Sequence, residues 1–262
     1  MAQGIGWINL AESATLSAGA WSTALPLSNA KTRELADVAR TTNDDAASTQ
    51  LIVDHGSAKY RRAAAFKWHN CSSAATVTWS LGTTSGGNDV ATLTQNCWQI
   101  TPTEYSGRRN EVILVLPQRY EARYDLFEFT DTLNPDGYLE IAYAYICDLF
   151  VPTYGIERDG YSSGIVDRSG VVRARAGQPW IDAQRKLRTE TFRFPALVNG
   201  EGDTMHELMH VCGVSEPVLW IPDTGSPATN QRYGFIGSMD EVSGLENPFY
   251  AGRGKAFRIT EW

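Results

Sequence analysis

Residues 49–83 read TQLIVDHGSAKYRRAAAFKWHNCSSAATVTWSLGT. Within them TQLIVDHG, KYRRAAAFKWHNC and ATVTWSLGT are short apolar or alternating runs, separated by small polar residues, and each predicts a strand. Similar runs follow at 96–101 (NCWQIT), 110–117 (NEVILVLP), 123–131 (RYDLFEFTD) and 137–150 (GYLEIAYAYICDLF). Turn signals punctuate them, TTSGGND at 83–89 and LNPDG at 133–137, where Gly, Asn and Asp supply the backbone freedom a reversal needs. Short strands at this spacing predict a β-sandwich or barrel.

After FVPTYGIERDGYSSG (150–164) the pattern restarts with IVDRSGVVRARAG (165–177) and RKLRTETFRFPAL (185–197), which places a module boundary near residue 150. The predicted modules are 1–150 and 151–262. The second holds one helix, 204–212, followed by strands at 217–223, 232–239 and 255–262. The first forty residues are irregular, with a helical turn expected around Arg33–Arg40. The expected class is mainly β: two β-sandwich modules, the second with one packing helix.

The chain has 262 residues, 42% of them hydrophobic and 11% aromatic, enough to build a sizeable core. Its formal charge of −7 and pI near 5.2 argue against a nucleic-acid surface, which needs concentrated positive charge. The basic pieces YRR (60–62), GRRN (107–110), VVRARAG (171–177) and RKLR (185–188) are expected to pair with acids on a sheet face. Charge pairing across a subunit interface is the alternative. The first residues, MAQGIGWINLAES, lack a secretory signal pattern, and the most apolar stretch, YLEIAYAYICDLFV, carries Glu140 and Asp148; a soluble chain made in the cytosol is expected, without a membrane segment. Cys71, Cys97, Cys147 and Cys212 form no CxxC pair and are expected to be buried thiols.

The chemistry-bearing motif is TMHELMHVCGVSE, 204–216. His206 and His210 stand four apart on one helix face, Glu207 beside them could activate a metal-bound water, and Gly213, Glu216 and Met239 extend the match towards a zinc peptidase. The opposing features are local. Thr204 and Glu207 have capping-box spacing, which would begin the helix at 204 and put His206 in its first turn. Gly213 suits a left-handed C-terminal residue, Glu216 replaces the third His or Asp, and Met205, Leu208, Met209 and Cys212 form a packing stripe that turns both histidines outward. A packing helix is expected. No catalytic, cofactor-binding or metal-ligating residue is assigned.

Two other constellations stand out. Asp54 and His55 suggest part of a hydrolase triad, but no GxSxG elbow supplies the nucleophile, so they are expected as strand-end residues. Trp68, Trp79 and Trp98 are expected in the core, with a sugar-binding platform as the alternative.

Two regions carry a family resemblance. ALPLSNAKTRELADVARTTNDDAASTQLIVDHG (24–56), AAAFKWHNCSSAATVTWSLGT (63–83) and YDLFEFTDTLNPDGYLEIAYAYICDLFVP (124–152) resemble galactose-binding-like jelly-roll domains of bacteriophage minor tail proteins. QRKLRTETFRFPALVNGEGDTMHELMHVCGVSEPVLWIPD (184–223), with RYGFIGSMDE (232–241) and KAFRITEW (255–262), resembles the tube-forming domain of siphovirus-type distal tail proteins. The resemblance implies a non-enzymatic structural protein of the virion at the tail tip or baseplate. There it would form a threefold or sixfold homo-oligomeric ring joining the tail tube to the host-adsorption apparatus. Implied partners are copies of itself, the tube, hub and tape-measure proteins, and a host surface glycan; no cofactor is implied. The helix at 204–212 takes the place of a packing helix and Met239 falls in a strand. The acidic stretches ERD (157–159) and DEVSGLE (240–246) are expected to meet the arginine-bearing edges of a neighbour. The alternatives are the zinc peptidase of His206, Glu207, His210 and Glu216, and a carbohydrate-binding adsorption module.

Overall fold

A computed structural model describes residues 2–100, 111–157, 159, 161–175, 177–198, 200–242, 244–249 and 252–262. Its strands are β1 (Gly4–Gly6), β2 (Thr15–Ser17), β3 (Ala39–Arg40), β4 (Gln50–Lys67), β5 (Thr76–Gly82), β6 (Ala91–Asn96), β7 (Glu111–Thr130), β8 (Glu140–Ile141) and β9 (Tyr143–Cys147). They continue with β10 (Ser162–Asp167), β11 (Gly170–Arg173), β12 (Pro179–Asp182), β13 (Lys186–Leu197), β14 (Val218–Ile221), β15 (Phe235–Met239), β16 (Glu246–Phe249) and β17 (Gly252–Glu261). The α-helices are α1 (Leu10–Ser13), α2 (Glu201–Cys212) and α3 (Pro227–Tyr233). The chain is mainly β.

It divides into two units, one of residues 1–151 with 219–234 and one of 152–218 with 235–262. The segment Leu219–Gly234, which the sequence pattern assigned to a 151–262 module, thus belongs with the first unit.

In the first unit the expected pairs of short strands are two long ones. TQLIVDHG and KYRRAAAFK run on as β4, and NEVILVLP and RYDLFEFTD as β7. Gly56 has φ 73° but makes an irregularity, not a reversal: pairing with β7 lapses between Asp54 and Lys59 and resumes beyond it. The N-terminal part of β4 lies in a sheet of order β2–β4–β7–β5–β6, while its C-terminal part also takes β9 as neighbour. Phe66, late in β4, meets Phe127 and Phe129, late in β7, with ring centroids 4.8 and 5.2 Å apart. Both strands therefore bend across two layers with the aromatic core between them.

Burial follows from this. Leu51 and Val53 alternate inward on the half-exposed layer, whereas Ala63 to Lys67 and all of β9 are buried on both faces. Small residues in AAAF let the flanking segments approach. Asn9, at the cap of α1, donates to the Tyr143 hydroxyl and the Ala144 carbonyl, tying the N-terminal segment over β9. The alternating run at 91–96 is β6, and of NCWQIT only Asn96 is in a strand; Thr101 lies outside the described residues. Arg33–Arg40 forms turns and β3; the nearby helical piece is a 3-10 turn at Leu27–Lys31.

In the second unit a sheet of order β15–β17–β13–β10 carries β16 on β17, and α2 packs on β17. Phe192, Phe194 and Phe257 cluster on it, with centroids 5.5 to 5.9 Å apart. Glu190 of β13 is buried, with Oε1 accepting from Ser163 Oγ at 2.7 Å. Burial raises its pKa, opposed by the Ser163 bond. A carboxyl with a raised folded pKa holds its proton better folded than unfolded. Its ionised form therefore costs stability as pH rises through the folded value. Glu190→Gln is expected to raise the melting midpoint relative to wild type at pH 8, with the gain fading towards pH 4. Thermal melts across that range check it; a difference independent of pH contradicts it.

Candidate functional site

At one end of the first unit's sandwich β4 stops at Lys67 and the chain turns through Trp68. This residue has φ 57°, in the left-handed region that costs a bulky side chain of order 1–3 kcal/mol. The residue remains 39% exposed. Next to it, His69 is buried: Nδ1 accepts the Cys71 amide at 3.2 Å, the ring stands edge-on to Trp98, and Nε2 has no hydrogen-bond partner among the described residues. Trp98 is fixed in turn by Nε1 donating to the Cys71 carbonyl at 2.9 Å.

Asn70 connects this loop to the one at 131–139. Its Nδ2 donates to Asp136 Oδ2 at 3.0 Å and to the Tyr138 carbonyl at 2.9 Å, and its Oδ1 accepts from the Glu140 amide. Asn134 braces the same turn by donating to the Tyr138 carbonyl and accepting from the Asp136 amide. Arg40 lies 4.3 Å over the Tyr138 ring and pairs with Glu140. The braced loops thus carry a phenol ring, a guanidinium and an exposed carboxylate, and Trp68 stands two residues before Asn70, which ties them together. Such a surface can stack on an apolar C–H face and hydrogen-bond hydroxyls around it.

Of the three tryptophans weighed together, Trp79 is core: it is fully buried, stacks on Phe127 and donates Nε1 to Asp125 Oδ1 at 2.9 Å. Trp98 is half-buried. No platform of three exists, and Trp68 alone is presented to solvent; the expectation that it fills the core does not hold, because the left-handed turn carries it out of β4.

The bend of β4 and β7 holds a second polar cluster. His55 Nε2 lies 2.6 Å from Asp125 Oδ2, and Arg61 Nε lies 2.7 Å from Asp125 Oδ1, with all three side chains buried. Asp54 faces elsewhere, paired with Arg123, whose guanidinium and the Gly56 amide hold its carboxyl down to about 2. His55 thus has a carboxylate, but no hydroxyl hydrogen-bonds to it among the described residues. A pocket of 510 Å³ along β6 and β7, lined by Arg62, Gln95, Ile113, Pro117, Thr224 and Asn230 among others, has no aromatic wall. The Arg62 guanidinium there is taken by the Leu116 and Pro117 carbonyls.

α2 begins at Glu201 with Gly200 as its cap, so the capping box of Thr204 and Glu207 does not form. Glu201 does the bracing: it accepts from Thr153 and from the Val198 amide. His206 is therefore in the second turn. Met205, Leu208 and Cys212 are buried as the stripe predicts, and His206, Glu207 and His210 are exposed. Gly213 has positive φ, though at ψ −133° it leaves the left-handed helical region. Met239 pairs with Ile259 in β15–β17. Among the described residues no group of three His, Cys, Asp or Glu is placed to hold a metal ion, which removes the structural basis of the zinc-peptidase alternative. The four cysteines are buried and none forms a disulfide among the described residues; the Cys71 thiol is pushed well up by its hydrogen bond with Cys97 and by burial.

RKLR follows the expected pairing: Arg185 and Arg188 meet Glu261, and Lys186 meets Asp167. GRRN and Arg158 lie outside the described residues. No helix among the described residues is long and apolar enough to cross a membrane.

No protein-family model matches the chain, and no curated protein does. Solved structures do. A Streptococcus pneumoniae fucose-binding module is 16% identical, with 54% of this chain and 95% of that one covered at a TM-score of 0.40. The lectin domain of lectinolysin complexed with Lewis B antigen is 15% identical, with 54% and 96% covered at 0.39. The family 32 module of Clostridium perfringens NanJ, in complex with galactose, is 16% identical, with 54% and 98% covered at 0.39. Two larger chains also match in part: the chain spans 28% of SpGH29 and 14% of the Clostridium perfringens glycoside hydrolase CpGH89.

Proposed function

We propose that the first unit is a non-catalytic carbohydrate-binding module that uses the sandwich end around Trp68. The observation that carries this is the indole held in solvent on a left-handed backbone, beside loops whose asparagines are spent on bracing Asp136 and Tyr138. A sugar ring would lay its apolar face on Trp68, with Asp136 and Arg40 taking hydroxyls. Trp68→Ala is expected to weaken binding at least about tenfold, roughly 1.4 kcal/mol, and Asp136→Ala to weaken it less. Glycan-array screening of the whole chain, followed by titration of a bound glycan into both variants, tests this. Binding unchanged in Trp68→Ala, or confined to the 510 Å³ pocket, contradicts it.

A second reading concerns the whole chain: a structural subunit of a virion, at the distal end of a phage tail, where glycan binding would serve host adsorption. What favours an assembly is the second unit's exposed apolar surface, including Ile165, Val171, Val172, Trp180 and Ile181. Labelling the chain in electron micrographs of intact particles tests the location; label absent from tail tips contradicts it.

A further inference from the structure

Between β10 and β13, strands β11 and β12 pair with each other as a separate two-stranded sheet, with Val171 opposite Ile181 and Val172 opposite Trp180. Successive pairs point to opposite faces, so one face carries Val171 and Ile181 and the other Val172 and Trp180. These four side chains are 58%, 64%, 70% and 70% exposed. A two-stranded hairpin is marginal in water by itself, and one apolar on both faces needs cover on both. Arg168, Arg173 and Arg175 project from the same arm, exposed and without an ion pair among the described residues.

We infer that this arm docks on a second copy of the chain, its arginines meeting the acidic run Glu34, Asp37, Asp44 and Asp45. This rests on the assembly reading and names its contact. Charge complementarity supports the occupant: three exposed arginines without ion pairs among the described residues match a run of acids, also without ion pairs, that this same chain carries, so a second copy supplies both halves of the contact. It also selects the place. In the stretches expected to serve, Glu157 is already paired with Arg193 and Asp240 with Arg258, which leaves Asp159 and Glu241, among the described side chains, as single, separated charges. In the 34–45 run the intervening basic residue Arg40 is neutralised by Glu140 and the adjoining Arg33 by Glu12. The four acids have no ion pair among the described residues, and Leu35 and Val38, half-buried among them, offer apolar contact. An arm on one surface and its receptor on another form a heterologous contact, which closes into a ring or propagates.

The test is sedimentation and light scattering of the full chain over a range of concentration and salt. Wild type is expected to associate, with about tenfold weaker association for Val172→Ser with Trp180→Ala, for Arg173→Glu with Arg175→Glu, and for Asp44→Lys with Asp45→Lys. Combining the last two sets, which exchanges the charges, is expected to restore association. Far-UV circular dichroism confirms that the surface variants fold. Wild type that stays monomeric overturns the assembly reading together with the arm. Association that persists in every arm variant overturns the arm alone, and failure of the exchanged charges to restore association overturns the 34–45 receptor.

Discussion

Asp125→Ala is expected to cost about 3–5 kcal/mol of unfolding free energy, the range for breaking a buried ion pair from one side. Asp125 is fully buried and serves three groups: Arg61 and His55, both buried, and the Trp79 indole N–H. Removing the carboxylate leaves a guanidinium without its counter-charge inside the bend of β4 and β7, where Arg61 Nη2 already has no hydrogen-bond partner among the described residues. Arg61→Met alone is expected to cost less than Asp125→Ala, since the carboxylate keeps the indole and the imidazole. Combining Asp125→Leu with Arg61→Met is expected to recover much of the loss, because apolar replacement removes the charges along with their desolvation. Urea denaturation of Asp125→Leu, of Arg61→Met and of the two combined checks the order. Additive costs would place the cluster's role elsewhere than in mutual compensation.

This cluster also marks where sequence patterns stop informing. The alternation of Leu51 and Val53 and the continuous burial of AAAF follow from composition. The continuity of β4 through DHGSAK does not. A glycine between two polar residues is ordinary turn chemistry, and only pairing with β7 makes it an irregularity in one strand. Asp125 gathers residues 55, 61 and 79, which no local spacing connects. At the candidate site, Asn70 and Asp136 are joined across 66 positions, and nothing in the residues around Trp68 foretells its left-handed backbone.

Other differences had local signals. Ser226 and Pro227 begin α3 with a serine cap and a proline in the first turn, a helix start overlooked beside the apolar runs around it. Gly202, a poor helix former, stands inside the first turn of α2, where the Arg253 side chain crosses 2.6 Å from where a Cβ would stand. Arg253 then pairs with Asp203. A tertiary contact there outweighs glycine's poor helix propensity, a cost of about 1 kcal/mol.

Phe66→Ala is expected to be as damaging as the loss of Asp125, at about 3–5 kcal/mol, for a different reason. Phe66 pairs in register with Val112 and Ala144 in one layer and reaches Phe127 and Phe129 of the other, edge to face at 81° and 82°. Truncation leaves a void where two layers meet, and neither long strand can close it without losing register over its whole length. Phe66→Leu fills most of that volume and is expected to cost less than half as much. The substitution also bears on binding, because Lys67, buried with Glu111 at 3.4 Å, and Trp68 follow directly. If the core fixes the left-handed turn, Phe66→Ala weakens glycan binding at temperatures well below its own melting transition, with Phe66→Leu intermediate. Calorimetric titration beside urea denaturation of the same variants separates the two effects. Binding untouched in a Phe66→Ala protein that has lost several kcal/mol would mean that the turn is held by its own loop, through His69, Asn70 and Trp98, and not by the core beneath it.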